Sequence, residues 1–488
     1  MASDPEKLTA EGCSPPLDLA SGAVQSATAA FDPKLCYKLD LKILTPMFFL
    51  NFLSLMGRTN IGAALIQGLP EDLGMGSMQT FLVIVIPVVM LVLFEVPSNL
   101  LMRWLERRAG LPYMRYLSLV TVGLGVVTLG QAFDRSYGAL LATRFLVGIV
   151  DSAVMPGCVF VLSLYYPATH LQWRLSMLVV SNIVSNVVSN ILAFGIAQID
   201  SANGWHGWRW IFLIEGLLTI TIGLACVGSN IGRPENATFL SEQEKAVIAA
   251  TIESRKPTIG IAAEVRVFLS NPLSYLWSAI MVFTVTTISS VAVFAPSFIK
   301  AFHGSDWTVP RVQGQVAPIF VVAAVLCLMA GWAADRLNHR CGFALFGYFL
   351  AIIGYAILRE TTRFAPNVQL LALYLACMGT YTSMAMLWAL TCLNAATPFQ
   401  KAFGSAFVIG VGNAGNFVSA WIFRSSEAPR YTAGMTTGLI LTCVAAGLMV
   451  VAWGYIVWYN RMSKDAEMRG VGGVDVNLGN GRVKRLVA

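Results

Sequence analysis

The sequence predicts an all-α polytopic membrane protein whose 12 transmembrane helices form two pseudo-symmetric six-helix bundles. Three observations lead there. Of the 488 residues, 56% are hydrophobic and only 12% charged, whereas soluble domains are about a quarter charged. Apolar stretches near 20 residues, the length that crosses a bilayer as a helix, recur along the whole chain. The longest charged loop, 231–270, carries Pro234 and Pro257 and divides the apolar part into nearly equal halves, 43–230 and 271–459. Two equal halves joined by a linker are the plan of secondary transporters built from parallel repeats, and channels or receptors rarely share it.

In chain order, residues 1–42 are polar, mixed in charge and rich in Pro, Ser and Ala, which predicts a disordered cytosolic segment. It contains no short apolar core before a cleavage site, so the first span itself directs insertion. The first bundle has spans at 43–68, 79–102, 113–133, 137–166, 174–199 and 208–230. After the linker come 271–301, 314–334, 341–358, 367–392, 402–423 and 435–459, then a Gly-rich cytosolic tail at 460–488. Span 5 contains "SNIVSNVVSN" (181–190), a Ser row and an Asn row stepping every fourth residue. Four residues advance ~400° around a helix, so both rows stay on one side. Small Ser185 and Ser189 suit close helix packing. Asn182 and Asn186 suit a wetter side and are candidate substrate contacts, because an amide in lipid leaves its donors unsatisfied. Span 11, the counterpart in the second half, echoes this with "VIGVGNAGNFVSA" (408–420).

Charge sets the orientation. The side bearing both termini carries 23 Lys and Arg and the opposite side 8, which places the termini in the cytosol. The net charge of +7 follows from this topology and requires no nucleic-acid partner. The nine cysteines and four histidines lie singly, without metal-ligand or disulfide spacing, so neither metal nor cofactor is expected. The sequon Asn236-Ala-Thr238 falls on the cytosolic side and should stay unglycosylated. No nucleophile–base constellation points to an enzyme.

At the cytosolic end of span 8 stands "GWAADRLNHR" (331–340). This pattern resembles the cytoplasmic-loop signature of the major facilitator superfamily, and the resemblance implies the major facilitator fold. It also implies that Asp335, Arg336 and Arg340 form an ion-pair latch holding the outward-facing state; the alternative is a snorkelling interface cluster. "FEVPSNLLMRW" (94–104), "RFLVGIVDSAVMPG" (144–157), "GWRWIFLIEG" (207–216) and "GSAFVIGVGNAGNFVSAWIFRSSEAPRYTAG" (404–434) narrow the likeness. Together they resemble the anion:cation symporter branch, in particular fungal allantoate-permease-like transporters, over spans 1 to 12. The resemblance implies a small organic anion and protons as partners, beside the lipid bilayer. It also implies a monomer, a fungal source and a plasma-membrane address.

Charges buried in spans are the functional candidates, because each costs several kcal/mol unless it faces a partner or water. Span 1 has Arg58, with Asn60 two positions on, and span 4 has Arg144 and Asp151 seven apart on one face. An arginine fork suits a carboxylate, and a carboxyl in low dielectric can carry a proton near neutral pH. Vesicular glutamate and sialic-acid transporters look similar here. By that resemblance Arg58 and Arg144 contact the substrate anion and Asp151 carries the coupling proton, the alternative for Arg144 and Asp151 being a structural ion pair at a helix interface. The fungal group usually has Asp-Arg-x-Asn-Ile-Gly-Asn where this chain reads Gly57-Arg58-Thr59-Asn60-Ile61-Gly62-Ala63. Arg58 therefore lacks its neighbouring acid, which favours an anionic substrate or a different partner. Glu95 and Glu215 lie near span ends and read as structural. In the second half, Tyr381 and Trp388 of span 10 and Asn413 and Asn416 of span 11 are candidate cavity residues, with packing as the alternative.

The expected function is proton-coupled transport of an organic anion between two rocking bundles. Efflux of a fungal secondary metabolite is the alternative. A non-transporting nutrient receptor is disfavoured by the short cytosolic segments.

Overall fold

A computed structural model describes residues 32–197, 206–251, 261–303, 309–360, 363–395, 397–422 and 431–468, and every regular element among them is helical. Helix α1 (Pro33–Leu39) runs through a π-helical turn (Asp40–Leu44) into α2 (Thr45–Ile66). The segment expected to be disordered to residue 42 is therefore helical from Pro33. Its average polarity hides an amphipathic pattern: Leu35, Leu39 and Ile43 are buried, while the polar face is tied down. Lys38 donates to Glu244 at 2.7 Å, and Asp40 accepts both nitrogens of the Arg174 fork at 2.9 and 2.8 Å. Residues 1–31 and 469–488 lie outside the described residues.

A short α3 (Leu69–Asp72) precedes α4 (Ser77–Ala109), α5 (Tyr113–Gln131), α6 (Tyr137–Asp151), α7 (Val154–Tyr165), α8 (Ala168–Ala197) and α9 (Gly207–Val227). The linker holds α10 (Glu242–Thr251), whose Ser241 and Glu244 cap each other's backbone N–H, and α11 (Ile261–Ser270). The second half comprises α12 (Pro272–His303), α13 (Val309–Leu337), α14 (Arg340–Arg359), α15 (Pro366–Leu393), α16 (Pro398–Asn413), α17 (Gly415–Ile422) and α18 (Thr432–Met468). The last helix carries order through residues expected to belong to a loose tail.

Eleven described helical stretches are long and apolar enough to cross a membrane. The twelfth expected span, 402–423, is present as α16 and α17. Tight bonds from Ala414 N–H to Val411 O and from Phe417 N–H to Ala414 O, both 3.1 Å, mark the break between them. Span 4 is also broken, at Ser152–Ala153 between α6 and α7. Pro156 explains the position: without an N–H it cannot donate to the Ser152 carbonyl, and its ring crowds that carbonyl.

Within the first half, α5 packs along α9, α2 against α8 and α9, and α4 against α6; in the second, α14 packs along α15 and α18, and α12 against α16 to α18. The halves meet along two seams, α8 against α13 and α15, and α4 and α7 against α16. At the first seam Gly331 lies so close that an added Cβ would sit 2.8 Å from Ser176 Cβ. Asn99 Nδ2 donates to Ala402 O at 3.0 Å across the second, where Ala402 and Ala406 are fully buried. Arg103 lies between the rings of Phe160 of the first half and Phe399 of the second, at 5.8 and 4.9 Å.

These ties lie on the side of the molecule that bears Asp32 and Met468, here the terminal side. Exposure grows away from it. Along α2, Asn51 and Ser54 are sealed, Arg58 is partly open and Gly62 is exposed. Along α8, Ser181 and Asn182 are buried, Asn186 is half-buried and Asn190 exposed. The cleft between the halves thus closes at the terminal side and opens at the other.

Candidate functional site

At the closed end of the cleft, Asn51, Ser54 and Arg58 share one face of α2, spaced i, i+3, i+7. The Asn51 amide reaches α8, donating to Ser181 Oγ and Asn182 Oδ1, both at 2.7 Å. Ser54 and Arg58 both donate to the carboxylate of Asp151, the last residue of α6. Arg58 is therefore not unpaired: the acid missing beside it in sequence is supplied by span 4. The break imposed by Pro156 ends α6 there.

Arg144 does not join this cluster. It is 1% exposed, donates to Asn60 Oδ1 at 3.2 Å and lies 5.2 Å from the centre of the Phe212 ring. Glu215 lies within electrostatic reach of Arg144 and accepts from Ser189 Oγ at 3.3 Å. Arg144, Asn60 and Glu215 form a buried network inside the first bundle, whereas the Arg58 side chain retains 24% exposure. That difference decides which arginine a solute in this cleft can meet. Asp151 and Arg144 share a face of α6 yet serve separate partners.

Glu95 and Glu215, expected near span ends, lie in the middle of α4 and α9 and are fully buried. Glu95 Oε2 accepts from Asn413 Nδ2 of the second half at 3.0 Å, just where α16 ends. Asn416 Nδ2 bonds the Asn413 carbonyl at 3.0 Å, and its Oδ1 accepts from Ser289 of α12 at 2.5 Å. A polar chain therefore runs from α4 through the break in span 11 to α12. The two polar rows of α8 divide: Ser181 and Ser189 bond other helices, Ser185 is buried, and Asn186 and Asn190 bond the carbonyls of Asn182 and Asn186 behind them.

Tyr381 and Trp388 are buried in α15, 2% and 1% exposed. Tyr381 meets Phe320 of α13 edge-on at 6.2 Å, so in this conformation the pair packs instead of lining the cleft. On the terminal side, Asp335 accepts the backbone N–H groups of Gln172 and Trp173 in α8 at 3.1 and 2.9 Å. Arg340, fully buried, backs that carboxylate at 3.4 Å. Arg336 turns outward over Trp332, 5.2 Å from its ring centre. The connection across the seam thus joins a carboxylate to the start of a helix, where backbone N–H groups attract anions, and does not join two opposite side-chain charges.

Asn51, Ser54 and Gln172 were not among the sequence candidates. The face shared by Asn51, Ser54 and Arg58 was a usable signal; Gln172, at the head of α8, gave none.

The family model described as Major Facilitator Superfamily matches residues 47–452. The chain is 27% identical to the MFS-type transporter cnsO of Penicillium expansum over 91% of its own length and 85% of the relative's. It is 27% identical to an Agrobacterium vitis protein named for tartrate transport, over 85% and 92%. Among solved structures it superposes on the proton:xylose symporter XylE with a TM-score of 0.61 and 13% identity, covering 85% of this chain and 96% of that one.

Proposed function

Because the chain belongs to the Major Facilitator Superfamily, whose members are membrane transporters and not enzymes, we propose that it carries a small organic anion, coupled to protons, by alternating exposure of a central site. The observation that carries this reading is the Arg58–Asp151 pair at the closed end of the cleft. Arg58 is the partly open cation of the interior, and its guanidinium has donors beyond those facing Asp151. An anion arriving there competes with Asp151 for the fork. A proton taken up by Asp151 frees Arg58 for the solute, so proton and anion enter together. Arg144, with Asn60, holds α2 and α9 in place behind the site. Asn186 and Asn416 supply neutral hydrogen-bonding groups along the walls, and Asp335 with Arg340 holds the terminal side shut.

The substrate class extends the likeness of the sequence to allantoate-permease-like symporters, and the relative named for tartrate fits a carboxylate. The excess of Lys and Arg on the terminal side supports cytosolic termini. We place the protein in the plasma membrane as a monomer that imports its solute. Export is the second reading, favoured by the departure at Gly57 and Ala63 from the importers' usual span 1.

The test is uptake of labelled tartrate and nicotinate into proteoliposomes with and without an inward proton gradient. The wild type should accumulate at least one of them only with the gradient. Arg58→Ala should insert normally and lose uptake, and unchanged kinetics in that variant would sink the assignment. Gene deletion that lowers secretion of a metabolite while sparing uptake would establish export.

A further inference from the structure

In the interior of the first bundle Arg58 pairs with the buried Asp151, and Arg144 lies within electrostatic reach of the buried Glu215 and Asp134. Glu95 is a further buried acid, and no cation of its own faces it among the described residues. Arg58 and Asp151 are the charged groups that act on it, from α2 and α6. From α5, Tyr116 reaches the same helix as Glu95, its hydroxyl donating to Ser98 O at 3.3 Å. From α16 and α17 the contacts are neutral: Asn413 donates to it, and an added Cβ on Gly410 would lie 3.2 Å from Oε2.

Glu95 therefore senses two things at once. Its carboxyl lies within electrostatic reach of the ion pair proposed to receive the solute, and its hydrogen bond crosses to the other half. One turn along α4, Asn99 binds Ala402 O, so the same helix face forms the seam. With Asp151 on Arg58, a single proton on Glu95 brings this cluster to neutrality. When an anion takes Arg58 instead, one further proton is needed.

We propose that Glu95 is the proton-bearing residue that couples occupancy of Arg58 to the contact between the two halves. This rests on the transporter reading above and names how it is regulated. As a carboxylate, Glu95 can only accept from Asn413; as an acid, it can also donate to the Asn413 amide oxygen. The only covalent bond made or broken is the carboxyl O–H, and its proton exchanges with water in the cleft. Asp151 and Glu95 then hold one proton each at different stages of the cycle.

The experiment needs no identified solute. Spin labels on the terminal ends of α4 and α16, in the full chain in lipid nanodiscs, report the separation of the halves by pulsed electron resonance. The scan runs from about pH 5 to about pH 9, where buried carboxyls titrate. Wild type should shift between two distance populations across that range. Glu95→Gln should hold one population at every pH, and Glu95→Asp should restore the response with a displaced midpoint. A pH-independent wild type, or a Glu95→Gln protein that follows the wild-type curve, overturns the proposal. If Glu95→Gln does not fold, Asn413→Ala carries the test: its midpoint must move, and an unmoved one overturns the proposal. Failure to transport tartrate or nicotinate would count against the substrate reading and leave this outcome legible.

Discussion

Arg58 and Arg144 are the same residue type in adjoining spans, yet their surroundings give them different work. Arg144 and Glu215 are sealed together, so removing one partner strands the other's charge in a low-dielectric interior, at a cost of about 3–5 kcal/mol. Arg144→Ala should therefore lower folded yield and thermal midpoint in detergent. Adding Glu215→Gln should recover much of that loss, and a double variant no more stable than the single one would show that the two do not act as a pair. The same comparison for Arg58→Ala should show a smaller loss: the buried Asp151 also loses its cation, but it keeps the Ser54 hydroxyl and Arg58 itself is partly solvated. The sequence identified Arg58 and Asp151 but could not show that they meet. A shared face on one helix was legible from their spacing, yet seven residues of rise separate Arg144 from Asp151 by ~10.5 Å along the axis, too far for a contact. The true partner of each lies on another helix, and lateral neighbours leave no mark in the spacing of either.

At the scale of elements, the helix ends and breaks carry the site. Span 4 was expected unbroken although Pro156 marks its break, while the break after Asn413 follows a run of small residues that also suits an unbroken helix. Residues 33–42 were expected to be disordered because their charges suggested solvent; the charges instead face Glu244 and Arg174. Gly331 gives the firmest prediction here. Any larger side chain drives α13 away from Ser176 on α8, and overpacking a tight contact costs about 1–3 kcal/mol. That is comparable with the balance between two transporter conformations. Gly331→Leu should thus populate the state open at the terminal side, seen as longer distances between labels placed there on α8 and α13. Unchanged distances would mean that this contact does not set the balance.

For the whole molecule, hydropathy and the equal halves were enough to predict the architecture, because lipid requires each span to satisfy its own backbone. The packing of one half on the other was not legible, since it depends on a few side chains such as Asp335 and Asn99. Orientation is open to a direct check. An impermeant maleimide applied to intact cells should label Arg135→Cys, on the loop before α6, and leave a cysteine added after residue 488 unlabelled until the membrane is breached. The reverse pattern would invert the topology.

The two seams are held by unlike chemistry. Asp335 ties α8 to α13 through backbone N–H groups, whereas α4 and α16 meet through neutral amides, Glu95 and the aromatic sandwich around Arg103. Contacts of different strength and cause have different lifetimes. Titration of Glu95 reaches only one of them, so that edge can loosen while the other still holds. The molecule would then part as a door parts from its frame, hinge edge last, and the order of those events would give the transport cycle its direction in time.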